Sequence, residues 1–142
     1  MNIRPYRAED EFAVIELWES CGLVVPSNDP RKDIARKVRD SPDLFLIGEV
    51  DGALIGSCMV GYDGHRGWIN YLAVHLDYQR RDYATALMAA AEGLLRERGC
   101  PKINLQVRTS NAGVRQFYAR LGFSTDEVLS MGKRLVIDDT EA

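Results

Sequence analysis

The chain has 142 residues, 46% of them hydrophobic and 27% charged, with 21 acidic against 18 basic side chains for a net charge of −3. That length suits one domain spanning 1–142, which buries roughly two-thirds of its unfolded surface, and the mild negative charge argues against non-specific nucleic-acid binding. No apolar run approaches the roughly 18 residues needed to span a bilayer, and Met1–Pro5 lacks a signal-peptide core, so a cytoplasmic protein without a membrane partner is expected.

Asn2–Tyr6 can form a first strand, and Val14, Leu17, Trp18 and Cys21 then recur at helical spacing within Glu9–Cys21. Gly22–Asn28 reads as a loop. A second helix is expected to open at Asp29, with Pro30 in its first position, and to run to Asp40. Its basic residues Arg31, Lys32, Arg36, Lys37 and Arg39 alternate with acidic ones, the pattern of a solvated face. Leu44–Val50 and Ala53–Gly61 are apolar runs joined by Asp51-Gly52, a strong hairpin signal. The turn Tyr62–Gly67 leads into a strand over Trp68–His75.

A long helix is expected over Arg80–Arg98, with Leu87, Met88, Ala91, Leu94 and Leu95 on one stripe and Gly99 as its left-handed stop. Lys102–Val107 is the next strand. Asn111 suits the N-cap of a short helix that puts Val114, Phe117, Tyr118 and Leu121 on one face. Gly122 ends that helix, two short strands are expected within Phe123–Val136, and Asp138–Ala142 reads as a frayed acidic tail. The order β-α-α-β-β-β-α-β-α-β-β describes an α/β fold with a mixed sheet and helices on both faces. Cys21, Cys58 and Cys100 form no C-x-x-C pair and read as small buried hydrophobes; with two histidines they suggest no metal site.

The chemistry concentrates where the strand ending at Val74 passes through a basic turn into a helix. Such a junction aims unpaired helix N–H groups, together with Arg80 and Arg81, at one spot just past the strand, and Thr85 adds a hydroxyl. A plain turn with solvated arginines, and with Asp82 stabilising the helix N-terminus, accounts for the same residues. Residue chemistry alone leaves both readings open.

Two motifs together resemble the GCN5-related N-acetyltransferases (GNAT family). The family's acyl-CoA motif, Gln/Arg-x-x-Gly-x-Gly/Ala, falls on Gln79-Arg80-Arg81-Asp82-Tyr83-Ala84, with Asp82 in place of the first glycine. The pattern Asn-x-x-Ala/Gly-x-x-x-Tyr-x-x-x-Gly-Phe/Tyr falls on Asn111, Tyr118, Gly122 and Phe123, with Val114 in place of the small residue. The chain is similar in type to the small bacterial ribosomal-protein alanine N-acetyltransferases.

The resemblance implies the GNAT fold, in which two central strands splay to admit a pantetheine arm, with acetyl-CoA as acyl donor and no metal. It assigns the diphosphate to Gln79, Arg80, Arg81, Asp82, Tyr83, Ala84 and Thr85, and a pantetheine contact to Asn111. It gives backbone amides of Leu72, Ala73 and Val74 the tasks of binding pantetheine and polarising the thioester carbonyl, and makes Tyr118 the acid that protonates the departing thiolate. The implied reaction is direct attack by a primary amine, of a small molecule, protein N-terminus or lysine, in a ternary complex. Relatives often carry glutamate where Leu105-Gln106-Val107-Arg108 has Gln106, which cannot act as a base. Glu49, Asp63, His65 or a water chain remain for that role. By analogy with the family, Gly22–Asn28 and the end strands wall the acceptor, and homodimers are common. From their charge alone, Glu19, Asp29 and Asp63 are candidates to attract a cationic amine. The alternative is a GNAT-fold module with weakened catalysis that senses ligands or binds proteins, for which Asp82 and Gln106 are the grounds.

Overall fold

Five strands lie side by side in chain order: β1 (Asn2–Pro5), β2 (Phe45–Val50), β3 (Ala53–Tyr62), β4 (Gly67–Val74) and β5 (Ile103–Asn104). They belong to a computed structural model that describes residues 1–138. The first three pairings are antiparallel and the β4–β5 pairing is parallel. Asp51 and Gly52 join β2 to β3 with φ of 49° and 79°, the positive values a two-residue hairpin turn requires.

Among the described residues four α-helices cover the sheet: α1 (Glu11–Ser20), α2 (Pro30–Asp40), α3 (Tyr83–Glu97) and α4 (Ala112–Arg120). Asp29 caps α2 by accepting the Arg31 N–H at 3.0 Å, and Asn111 caps α4 by accepting that of Val114 at 3.1 Å. Each cap satisfies an N–H that the helix leaves without an intrahelical partner. Gly99, at φ 76°, ends α3 as expected.

The apolar stripes predicted from spacing pack on opposite faces. Val14, Leu17, Trp18 and Ile34 of α1 and α2 meet Phe45, Ile47, Met59 and Ala73. Leu87, Met88, Ala91 and Leu95 of α3 meet Leu46, Ile55, Cys58, Val60 and Val74, with Phe117, Tyr118 and Leu121 of α4 packed beside them. Along β3, Cys58 and Val60 belong to one cluster and Met59 to the other, the alternation a pleated strand imposes.

The α/β class and mixed sheet are as expected, but the end of the chain is not. No strand forms within residues 123–138, so the two strands expected in Phe123–Val136 are a correction. The expected strand Lys102–Val107 shortens to Ile103–Asn104, which pairs only as Gly67↔Ile103 and Trp68↔Asn104. A sixth strand needs a ladder to join, and β5 supplies two residues of one. Val128, Leu129, Met131, Leu135, Val136 and Ile137 are accordingly 65–93% exposed. Polar contacts tether the segment instead: Lys102 to Asp126 at 2.8 Å, Gln106 to Ser130, and Arg36 to Asp138 at 2.8 Å. Asp138, expected in a frayed tail, is buried; residues 139–142 of that tail lie outside the described residues.

The short β5 has a consequence for the sheet. After two pairs the β4–β5 ladder ends, and residues 70–74 of β4 have no strand partner on that side among the described residues.

Candidate active site

Beyond β4 the chain makes one 3-10 turn, Leu76–Tyr78, and α3 begins three residues later than expected, at Tyr83. Arg80 and Asp82 both take left-handed backbone, each with φ 63°. This gives a physical reason for glycine in the motif. Left-handed backbone costs an L-residue roughly 1–2 kcal/mol, and aspartate is among the least penalised. Asp82 is the N-cap of α3, yet its side chain accepts no capping bond. The amides of Tyr83, Ala84 and Thr85 therefore have neither an intrahelical nor a capping partner and point out of the helix start.

Arg80 and Arg81 are exposed, and neither pairs with a carboxylate among the described residues. An ion pair of Asp82 with either arginine is one way its charge could be neutralised, and no such pair forms. The Arg81 guanidinium lies 5.6 Å from the centre of the Tyr78 ring. Gln79 is engaged otherwise than expected: its side-chain amide donates to the Val74 carbonyl at 3.0 Å, tying the turn back to β4. Two cationic forks and three outward amides at one helix start suit a diphosphate.

The strand before this turn is bulged. Ser57 pairs with Ala73 and Met59 with Asn70, so Tyr71 and Leu72 together oppose Cys58. Tyr71 sits at φ 51°, rare for an aromatic residue. Its ring stacks on Trp18 with centroids 3.8 Å apart, and its hydroxyl donates to Asp33 Oδ2 at 2.6 Å. Burial, with Asp33 beside it, pushes the Tyr71 phenol well above its ordinary value. Ser57 Oγ accepts the Trp18 indole N–H at 2.9 Å and donates to the Tyr71 carbonyl at 2.8 Å. Leu72 lies on the opposite face, in the cluster that also holds Tyr118.

Tyr118 is half-buried on α4, edge-on to Phe117 and Phe123 at 5.1 and 5.5 Å. Burial, assisted by Cys58, pushes its hydroxyl up to about 12. Asn111 is at the head of the same helix, with its side-chain oxygen occupied by the cap.

The base candidates are not brought to this place. Glu49 is bound by Arg4, which also forks onto Asp10 at 2.7 and 2.9 Å. Asp63 organises its own turn, accepting the N–H groups of His65 and Arg66 at 2.8 and 2.7 Å, and those bonds hold its carboxyl down at about 2. The turn with Asp63 and His65 precedes β4 and lies at least about 13 Å along the strand from the bulge. Gln106 bonds Ser130. Glu19 and Asp29 line a cleft of about 420 Å³ beside the Gly22–Asn28 loop, together with Val24, Asn28 and Arg31.

Ser57, Trp18 and Asp33 were missed from sequence. A lone hydroxyl inside the apolar run Leu54–Val60 is the one signal that marks the first of them.

Residues 10–123 match the profile of the acetyltransferase (GNAT) family. An acetyltransferase from Sodalis glossinidius is 52% identical over 139 residues, covering 97% of this chain and 98% of the relative. The ribosomal-protein-S18-alanine N-acetyltransferase of Escherichia coli shares the fold with a TM-score of 0.74 at 22% identity, over 87% of this chain and 77% of that one. The PaiA N-acetyltransferase of Thermoplasma acidophilum, solved with coenzyme A, gives a TM-score of 0.77 at 20% identity, over 89% and 91%. The match runs through both the basic turn and the tyrosine of α4, and the chain belongs to the GNAT family of N-acetyltransferases.

Proposed function

We propose that the chain transfers an acetyl group from acetyl-CoA to a primary amine of a small molecule or peptide, by direct attack in a ternary complex. The observation that carries this reading is the end of the β4–β5 pairing after Trp68, which leaves that edge of β4 without a strand partner among the described residues. The bulge of β4 lies on that edge, the basic turn follows from the end of the same strand, and Tyr118 shares a cluster with Leu72.

Acetyl-CoA supplies a thioester whose carbonyl carbon is open to an amine. Arg80, Arg81 and the amides of Tyr83 to Thr85 hold its diphosphate, and the backbone of Leu72, Ala73 and Val74 holds the pantetheine arm. Asn111 contributes only its NH₂ group, since its oxygen caps α4. The Leu72 N–H stabilises charge as it develops on the carbonyl oxygen. Tyr118 donates its proton to the departing sulfur. With the phenol at about 12 and a free thiol near 8.5, transfer is roughly 3.5 pKa units uphill before reaction. A thiolate leaving within the same apolar pocket is itself made more basic, which narrows the gap. The amine loses its proton to water, and Glu19 and Asp29 favour a cationic acceptor at the cleft.

Thermal unfolding with 1 mM acetyl-CoA, with CoA and a nucleotide as controls, tests the cosubstrate. At a Kd of about 10 μM the gain is about 2.7 kcal/mol, a rise of several degrees for a domain this size. No rise with acetyl-CoA refutes the reading.

A further inference from the structure

Ser57 is fully buried, as is Trp18, and a hydroxyl in that position needs its bonds made. Both are made in one direction of flow. The indole N–H of Trp18 donates to Ser57 Oγ at 2.9 Å, and the hydroxyl donates onward to the Tyr71 carbonyl at 2.8 Å. The Tyr71 oxygen is thereby held toward β3, the strand that carries Ser57.

Every peptide in the described chain is trans. In a trans peptide the carbonyl and the following N–H point in opposite directions. Holding Tyr71 O toward β3 therefore turns the Leu72 N–H away from β3, toward the side on which β4 has no strand partner among the described residues. The left-handed Tyr71 is a costly conformation that persists only where its surroundings over-determine it. They do so here through the stack on Trp18 at 3.8 Å and the hydroxyl bond to Asp33 at 2.6 Å. Asp33 is in turn held by Arg36 at 2.8 Å.

We infer that Ser57, oriented by Trp18, is a positioning residue for acetyl transfer: by fixing the Tyr71 carbonyl it aims the Leu72 amide at the acyl carbonyl. This rests on the reading of the chain as an acetyl-CoA-dependent transferase. Ser57 touches neither the donor nor the acceptor, and its effect is carried wholly by one peptide plane.

The test uses acetyl-CoA labelled with carbon-13 at the acetyl carbonyl, bound to the native chain, to Ser57→Ala and to Ser57→Cys. Calorimetry reads affinity, and isotope-edited infrared difference spectra read the carbonyl stretch. The native chain should lower that frequency relative to free acetyl-CoA. Ser57→Ala should bind with Kd within about threefold of native but lose the downshift. Ser57→Cys keeps the volume and weakens the donor, so a partial downshift is expected.

A full downshift in Ser57→Ala overturns the inference, as does a loss that tracks lost affinity, which marks general damage to the site. Should Ser57→Ala fail to fold, Ser57→Cys decides, and a downshift equal to native overturns the inference. If the native chain binds acetyl-CoA with no downshift, the inference fails while the proposed activity stands. If it does not bind acetyl-CoA at all, the activity fails and the inference with it.

Discussion

Replacing Asp82 by asparagine, glycine and alanine separates the two costs of a carboxylate at the head of α3. Its charge opposes a diphosphate, and its backbone is left-handed, with φ 63° and ψ 14°. A unit charge about 6 Å from another contributes about 0.7 kcal/mol in bulk water and about 2.8 kcal/mol at an effective dielectric of 20. Asp82 is exposed, which places it toward the lower value, about 1 kcal/mol or roughly fivefold in affinity. Asparagine tolerates the same backbone and removes only the charge. It should tighten acetyl-CoA binding about fivefold and cost a few tenths of a kcal/mol of stability, from lost interaction with the helix N-terminus.

Glycine should bind at least as tightly, with relief of left-handed strain offset by its greater freedom in the unfolded chain. Alanine should also bind more tightly but lose roughly 1 kcal/mol of stability, because its Cβ stays in a left-handed position. Calorimetry at low and high salt, with urea midpoints for stability, reads both effects. The affinity gains should shrink as salt rises and the Debye length falls. Asparagine and glycine variants that bind no more tightly than native would refute the electrostatic argument.

Tyr118→Phe should leave acetyl-CoA affinity within about twofold of native and lower turnover by about a hundredfold, the usual scale of a lost general acid; steady-state rates on an identified amine decide, and unchanged turnover removes the acid role. Acid should unfold the protein in a specific window. Arg4 holds the Asp10 carboxyl below its ordinary value, while Asp63 and Asp138 are held at about 2 by the Arg66 and His65 amides and by Arg36 respectively. A carboxylate lowered in the folded state stabilises above its unfolded value, near 3.9, and loses that contribution as pH falls through the folded value. The Tm should therefore be flat above about pH 5 and fall between about pH 4 and 2, and Asp63→Asn should reduce the slope. A Tm unchanged down to pH 2 would contradict the assignment of these partners.

What could be read from sequence was what rests on neighbours in the chain. Asp51-Gly52, the caps at Asp29 and Asn111, and the stop at Gly99 are local instructions, and each is carried out. The basic turn was legible for the same reason, although its left-handed Asp82 was not, since a φ value leaves no trace in spacing. The short apolar runs Val128-Leu129 and Leu135–Ile137 looked like strands because an apolar run is silent about whether a partner edge exists. The link from Trp18 through Ser57 to Tyr71 joins positions 39 and 14 residues apart. No periodicity connects them, and a lone serine among apolar neighbours looks the same whether it is tolerated or bonded at both ends. Glu49 and Asp63 looked available because their partners, Arg4 and the turn amides, are set by folding and not by composition.

The ion pair of Arg36 with Asp138 spans 102 positions. Closing a loop of that length costs about 4 kcal/mol of chain entropy, whereas an ion pair with a partly exposed arginine returns about 1 kcal/mol or less. It cannot recruit the carboxyl end by itself. The sheet must first bring residue 102 and its neighbours alongside β4. The Lys102–Asp126 and Gln106–Ser130 contacts then cut the open span to the few residues after Ser130. Closing that span costs about 2 kcal/mol, a cost shared with the bond from the Asp29 N–H to Asp138. In folding order this contact is therefore a late arrival that reports on a sheet already assembled, and in unfolding it is among the first to open. A spectroscopic label on that terminal segment would time the completion of the fold without touching its core.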